Sequence, residues 1–303
     1  MAPIRTFIAA PSNLGLKPPA PGVAPGVRHL PEHLQQFSFA SRAGAVQTIY
    51  LEPPTYHGDI DPETRMRNAD AIRGYSIVLA EQVQDTVRAG RQAIVLGGDC
   101  SILLGCMLGL RSQGNYGLFF LDGHTDYMWP EHSATGGVAG MDLALVTGNG
   151  HEKLTDIHHC RPYVPEQQVF CCGNRVPDES YVQLIRQSQI NYYDLDALRR
   201  FGLPATAVQF LQLVETRGLD GFWVHLDVDV LHNDLMPCVD SPQPGGLSYA
   251  ELRSVLLPLL SAPACKGIDI TILDPTLDPD GRYASVFVDH LTGILQDAAT
   301  AVL

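Results

Sequence analysis

Two short stretches of this sequence place carboxylates and an imidazole at alternate positions where an apolar run breaks off. One is Leu121-Asp122-Gly123-His124-Thr125-Asp126 and the other is His225-Leu226-Asp227-Val228-Asp229-Val230. Alternate residues on an extended chain face the same way, so Asp122, His124 and Asp126 are expected to converge, and Asp227 with Asp229. Crowded acids at a strand end repel one another and are costly to desolvate, and a cation relieves both problems. A carboxylate-rich set with one imidazole suits manganese or a similar divalent ion rather than structural zinc. Four carboxylates can bridge two ions, and two ions sharing a water lower its pKa enough to give hydroxide at neutral pH. The chemistry expected is hydrolysis by a metal-activated hydroxide.

Such residues need strands to present them, and the chain supplies a regular alternation. Short β-branched or apolar runs are expected as strands at residues 4–9, 48–51, 93–96, 117–121, 168–172, 190–193, 221–226 and 267–273. Helical spacing fills the gaps at 62–89, 101–110, 178–188, 205–216, 249–260 and 284–301. This order predicts an α/β fold with a parallel sheet between helices, and ligands at the carboxyl ends of the strands. The segment Gly97-Gly98-Asp99-Cys100-Ser101 follows one such strand, with the glycines allowing a tight exit and Asp99 or Ser101 placed to cap the next helix. Residues 11–31, rich in Pro and Gly, are expected to form a long surface loop without regular structure, one that either shapes a pocket or fills space.

Composition narrows the function classes. The chain has 303 residues, 45% of them hydrophobic, enough for one large core, and no linker or repeat divides it, so a single domain over 1–303 is expected. The formal net charge is −13 without a Lys/Arg block, which argues against nucleic acid or an anionic membrane as partner. No apolar run approaches a membrane span and no leader pattern opens the chain, so a cytoplasmic protein is expected. Seven irregularly spaced cysteines with no CxxC pair argue for reduced thiols, with Cys171 and Cys172 buried.

The blocks GGDCS, LDGHTDY, HLDVDVLHNDLMP and SPQPGGLS, in this order and behind the loop with Gly22-Val23-Ala24-Pro25-Gly26-Val27, resemble the signature blocks of the ureohydrolase superfamily of arginase, agmatinase and formimidoylglutamase. The resemblance implies a three-layer α/β/α domain with a central, mainly parallel eight-stranded sheet. It also implies two Mn2+ ions, hydrolysis of a guanidino, amidino or formimino C–N bond in a small-molecule substrate, and a homo-oligomer, trimer or hexamer. Carried over by position, Asp122, His124, Asp126, Asp227 and Asp229 match metal ligands, with Asp126 also the catalytic group that orients hydroxide. The sixth ligand is histidine in the family and Cys100 here, so Asp122, His124, Asp227 and Asp229 hold the firm ion and Cys100 with Asp126 a weaker one. An alternative is a single-metal amide hydrolase resembling deacetylases, and another is a non-catalytic metal- or small-molecule-binding relative.

Further departures concern the substrate. The family's GNxHG block reads Gly136-Gly137-Val138-Ala139-Gly140, so its proton-shuttle histidine is Ala139, leaving His132 or His151 as nearby replacements. Where the family has the glutamate of Asp-x-x-Glu-x-x-Pro, which holds the substrate cation, this chain has Ile272 within Asp269-Ile270-Thr271-Ile272-Leu273-Asp274-Pro275, so plain arginase activity is not expected. Asn174-Arg175 could meet a substrate carboxylate or form a structural ion pair. Trp129 is expected to pack or to wall the pocket, His158-His159 to be solvated, and His232 to lie beside the site or on the surface.

Overall fold

A computed structural model describes residues 3–301, so the outermost positions of the expected 1–303 domain, 1–2 and 302–303, lie outside the described residues. All eight expected strands form: β1 (Arg5–Ala10), β2 (Ala45–Tyr50), β3 (Gln92–Gly97), β4 (Tyr116–Leu121), β5 (Val169–Cys172), β6 (Asn191–Tyr193), β7 (Gly221–Asp227) and β8 (Cys265–Thr271). They make one all-parallel sheet in the order β2-β1-β3-β8-β7-β4-β5-β6. The inner strands read as unbroken apolar runs because both of their faces are covered. In β4, Leu118 and Phe120 join the core on one side of the sheet while Phe119 and Leu121 join the other. The edge strands β2 and β6 lack that double burial.

Helices Ala69–Arg88 and Ile102–Arg111 close one face, and helices Leu203–Thr216, Tyr249–Ser261 and Arg282–Thr300 close the other. This is the three-layer α/β/α arrangement. The expected helix over 62–89 begins only at Ala69. Arg65 and Asn68 adopt left-handed φ values of 61° and 51°, and Asp61 draws the backbone N–H groups of Glu63 and Thr64 onto its carboxylate, which builds a turn instead of a helical ladder. The expectation of no regular structure over 11–31 is corrected at its end, where a 3-10 turn (Gly26–His29) runs into a helix (Leu30–Gln35) with Pro31 in its first turn. Short helices Asp142–Val146 and Leu195–Phe201 lie outside the sequence expectations.

Candidate metal centre

The four strands β3-β8-β7-β4 are consecutive in the sheet, and their carboxyl ends deliver the site. The chain leaves β3 through Gly97-Gly98, where a Cβ on Gly98 would collide with the Ser12 carbonyl. Asp99 fastens this exit, accepting hydrogen bonds from the Ser101 backbone N–H at 2.8 Å and the Ser12 hydroxyl at 2.7 Å. Ser101 itself makes no side-chain cap on the following helix. Cys100 is thereby pinned beneath the sheet end and buried.

Strand β4 stops at Leu121, so Asp122, His124 and Asp126 do not converge by extended alternation as the spacing suggested. Asp126 takes a left-handed φ of 43°, and the Tyr181 hydroxyl accepts the Thr125 N–H at 3.0 Å and lies 3.4 Å from the Asp126 N–H. Register pairing of Leu121 with Leu226 sets the two motifs side by side instead. Asp227 ends β7, and Asp229 lies in a 3-10 turn (Val228–Val230) whose N-cap is Asp227.

The resulting contacts are dense. His124 Nδ1 lies 2.8 Å from Asp229 Oδ2 and 3.7 Å from Asp122 Oδ1. Asp122 Oδ1 accepts the His124 backbone N–H at 2.7 Å, Asp229 Oδ1 accepts the Gly123 N–H at 2.9 Å, and Asp227 Oδ1 accepts the Asp229 N–H at 2.7 Å. One ligand atom from each of Asp122, His124 and Asp229 fits within a 4.8 Å span. Cys100 Sγ sits 3.0 Å from Asp227 Oδ2 and 3.2 Å from Thr271 Oγ1. Asp126 stands apart from the trio on the wall of a cavity of about 310 Å³, which Cys100, His124, Asp227, Asp229 and Ile272 also line.

Electrostatics of this cluster favour a cation. Burial, and then the neighbouring Asp229 charge, push Asp227 well above the usual carboxylate range, and burial with the Asp122 charge does the same to Asp126. Burial opposes ionisation of Asp229 too, but the adjoining His124 charge takes it below its ordinary value. Burial raises the Cys100 thiol well above its usual value, and the Asp227 charge adds to the shift. Asp122 Oδ2 is buried without a hydrogen-bond partner. An orphaned carboxylate oxygen among hard donors that repel one another fits a divalent ion.

Other expected residues separate clearly. His132 lines the cavity, whereas His151 caps a short helix (Glu152–Thr155) through the Lys153 N–H at 3.2 Å and does not. Arg175 forms no ion pair among the described residues. Its guanidinium donates to the carbonyls of Asp229 at 2.6 Å, Gln243 at 3.2 Å and Pro244 at 3.2 Å, tying the loops behind the site together. Asn174 donates to the Tyr192 hydroxyl at 2.7 Å. Trp129, expected to pack or to wall the pocket, is instead exposed, with its ring centroid 6.2 Å from that of His132; His159 is exposed, and His232 accepts the Asp234 N–H. Asp274 bonds to the Gly26 and Thr276 backbones, a structural role. The Pro/Gly-rich loop does shape the cavity, through Leu16.

Residues that the motif reading left without a role also gather here. Asp142, His225 and Asp269 are fully buried, and Tyr181 and Asp240 line the cavity. A hint existed for His225, which continues the Asp227 and Asp229 alternation toward the strand. Asp269 opens the block that contains Ile272, whereas nothing in the spacing points to Asp142, Tyr181 or Asp240.

An all-parallel α/β/α fold with these donors at adjacent strand ends defines a metal-dependent hydrolase. The sequence profile of the arginase family matches residues 7–295. The chain is 32% identical over 227 residues to an arginase of Bacillus caldovelox, covering 75% of this chain and 76% of that protein. The solved structure of arginase from Bacillus caldovelox superposes with a TM-score of 0.84 at 27% identity, covering 97% of this chain and 98% of that one. Formimidoylglutamase from Bacillus subtilis, at 19% identity, shares the fold with a TM-score of 0.72 over 100% of this chain and 89% of its own. The chain belongs to the arginase family. Its reaction class is the family's, metal-dependent hydrolysis of a C–N bond in a guanidino, amidino or formimino compound.

Proposed function

We propose that the chain hydrolyses a guanidino, amidino or formimino group that is less basic than the guanidinium of arginine, with Mn2+ as the metal. The observation that carries the reaction is the close trio of buried Asp122 and Asp229 with half-buried His124 and an unpartnered Asp122 oxygen, open to the cavity through Asp229 and His124. In this reading Asp122, His124, Asp227 and Asp229 hold the firm ion, and Cys100 with Asp126 completes a second, weaker position. When bound, the metal activates a water nucleophile and polarises the substrate's reacting carbon. Asp126, on the cavity wall beside these donors, orients the attacking water by accepting its hydrogen bond. His132, on the same wall, delivers a proton to the leaving amine in place of the histidine that Ala139 replaces.

The substrate preference rests on Ile272. Its side chain lines the cavity where the family resemblance expects a glutamate, so a buried cation would find no carboxylate there. Asp240 is the acidic group left at the mouth, suited to a substrate's remote amine rather than its reacting carbon. The reading extends to one domain over the whole chain, acting in the cytoplasm as a homo-oligomer, trimer or hexamer. One continuous sheet and family membership support it.

The test is a turnover panel on manganese-loaded protein of measured metal content, comparing arginine with hydroxyguanidino and formimino analogues. The expected outcome is a preference of at least about 10-fold in kcat/KM for a less basic group, with Ile272→Glu shifting it toward arginine. Arginine turned over as well as any analogue overturns the substrate reading, and metal-loaded protein inert on the whole panel overturns the hydrolase reading.

A further inference from the structure

Cys100 also belongs to a second group of donors, whose other members, Asp142 and His225, do not line the cavity. Ligand atoms of Cys100, Asp142 and His225 fit within 4.8 Å of one another, and all three residues are buried. Two of these residues hold atoms with nothing to bond: Asp142 Oδ2 and His225 Nε2 are both buried and unpartnered. An unpaired carboxylate oxygen and an unpaired imidazole nitrogen at one place cost several kcal/mol unless something lies between them, about 1–3 kcal/mol each.

The imidazole is prepared for a cation. His225 Nδ1 lies 2.6 Å from Asp269 Oδ2, while the other Asp269 oxygen accepts the Trp223 indole N–H at 2.6 Å. Asp269 therefore holds the proton on Nδ1 and leaves the Nε2 lone pair without a partner. Phe120 stacks on the ring with centroids 4.5 Å apart, fixing its plane. An acid that orients one nitrogen while the other stands free is how proteins present histidine to a metal.

We infer that Cys100, Asp142 and His225 form a separate, buried metal site, with a mixed sulfur, nitrogen and oxygen donor set that takes Zn2+ in preference to Mn2+. Thiolate and imidazole donors select zinc, whereas the carboxylate-rich trio at the cavity suits a harder ion. Asp227 Oδ2, 3.0 Å from the same sulfur, borders the open side of this site and connects it to the trio through Asp229. The substitution of Cys100 for the family's histidine thus moves the second ion inward, where His225 supplies the imidazole that position 100 no longer does. The inference rests on the proposed reading for the firm ion and reassigns the partners of Cys100 at the second position from Asp126 to Asp142 and His225.

The experiment strips the protein of metal and titrates it with Co2+, a spectroscopic stand-in for Zn2+, following the near-ultraviolet absorption of a cobalt thiolate, with Mn2+ binding followed separately by electron paramagnetic resonance. We expect the thiolate band to saturate at about one cobalt per chain. It should disappear in Cys100→Ser and weaken at least about 10-fold in apparent affinity in Asp142→Asn and His225→Asn. Asp122→Asn should lose tight Mn2+ and keep the band, so failure of the cavity site and failure of the buried site read out differently. Where His225→Asn does not fold, as judged by circular dichroism, the smaller change Asp142→Asn carries the test. Absence of the band, or a band equally strong in every folded Asp142 and His225 variant, overturns the site. So does chelator-insensitive turnover that Cys100→Ser abolishes, which would make the thiol a nucleophile.

Discussion

The two halves of the site sit on neighbouring strands and differ in how their residues are tied. On the β4 and β7 side each donor is held by another donor or its backbone: Asp122 by His124, Asp229 by His124 and Gly123, Asp227 by Asp229. On the β3 and β8 side, Cys100 and Ile272 occupy positions where the family resemblance expects histidine and glutamate. The backbone there is nonetheless held hard. Ile272 keeps a left-handed φ of 80°, which a β-branched residue adopts only under constraint, and its N–H donates to the Gly98 carbonyl at 2.7 Å. On both sides the backbone frame holds, and it is the side chains of the β3 and β8 half, at Cys100 and Ile272, that depart from the family pattern.

The sharpest way to break this comparison is to unpick the first half. Asp122→Asn or Asp227→Asn should lower turnover by more than about 100-fold and abolish tight Mn2+ binding, both read on the same preparation, because an amide oxygen cannot replace a carboxylate among these donors. Ile272→Ala should change substrate preference while metal content holds. If Ile272→Ala also empties the metal centre, the halves are not separable. A smaller effect follows from chelation. In protein loaded with Mn2+ alone, at about 100 times its Kd, binding adds about 2.7 kcal/mol of stability, which a chelator should remove from the native chain and not from Asp122→Asn. Urea melts with and without chelator decide this, and equal losses in both proteins would place the stabilising ion elsewhere.

How much of this was legible before the fold follows the same division. The eight strands could be read because parallel strands covered on both faces need long apolar runs, as Phe119 and Phe120 show by facing opposite cores. The grouping was legible, but for a reason the fold replaces: the chain leaves extended geometry before Asp126, which has φ 43°, and strand pairing brings Asp229 to His124. Asp142 was invisible, since it enters a short helix (Asp142–Val146) that carries no periodic signal, and only the third dimension sets it beside His225. The late start of the helix at Ala69 was hidden in the Asp61 turn, where side-chain hydrogen bonding overrode good helix formers.

Arg175 tests how far the first half depends on support from behind. Its guanidinium bridges the Asp229 carbonyl to the Gln243 and Pro244 carbonyls, so Arg175→Ala should cost about 2 kcal/mol and loosen metal binding without touching any donor. Denaturant midpoints paired with metal titrations check both parts. Unaltered metal affinity would show that the Val228–Val230 turn holds Asp229 unaided.

The smallest effect belongs to a control far from either half. Ser248 and Glu251 form a capping box at the start of helix Tyr249–Ser261, and Arg199 adds an ion pair at 2.8 Å. The hydrogen bond from Arg199 is the main reason that the Glu251 carboxyl is held down at about 2. The unfolded chain, with a glutamate near about 4.3, then binds more protons than the folded one between these values, so the stabilisation is complete above about pH 4.3 and fades as the pH falls toward 2. Because the pair is partly exposed, water screens it and its worth stays under about 1 kcal/mol. Glu251→Gln should therefore lower the urea midpoint slightly at neutral pH, with the gap from the native chain narrowing near pH 3. Metal content and turnover should not move, since the helix reaches the site through neither ligand nor cavity wall. A gap that widens in acid would mean that the helix start is held by something other than the Glu251 charge.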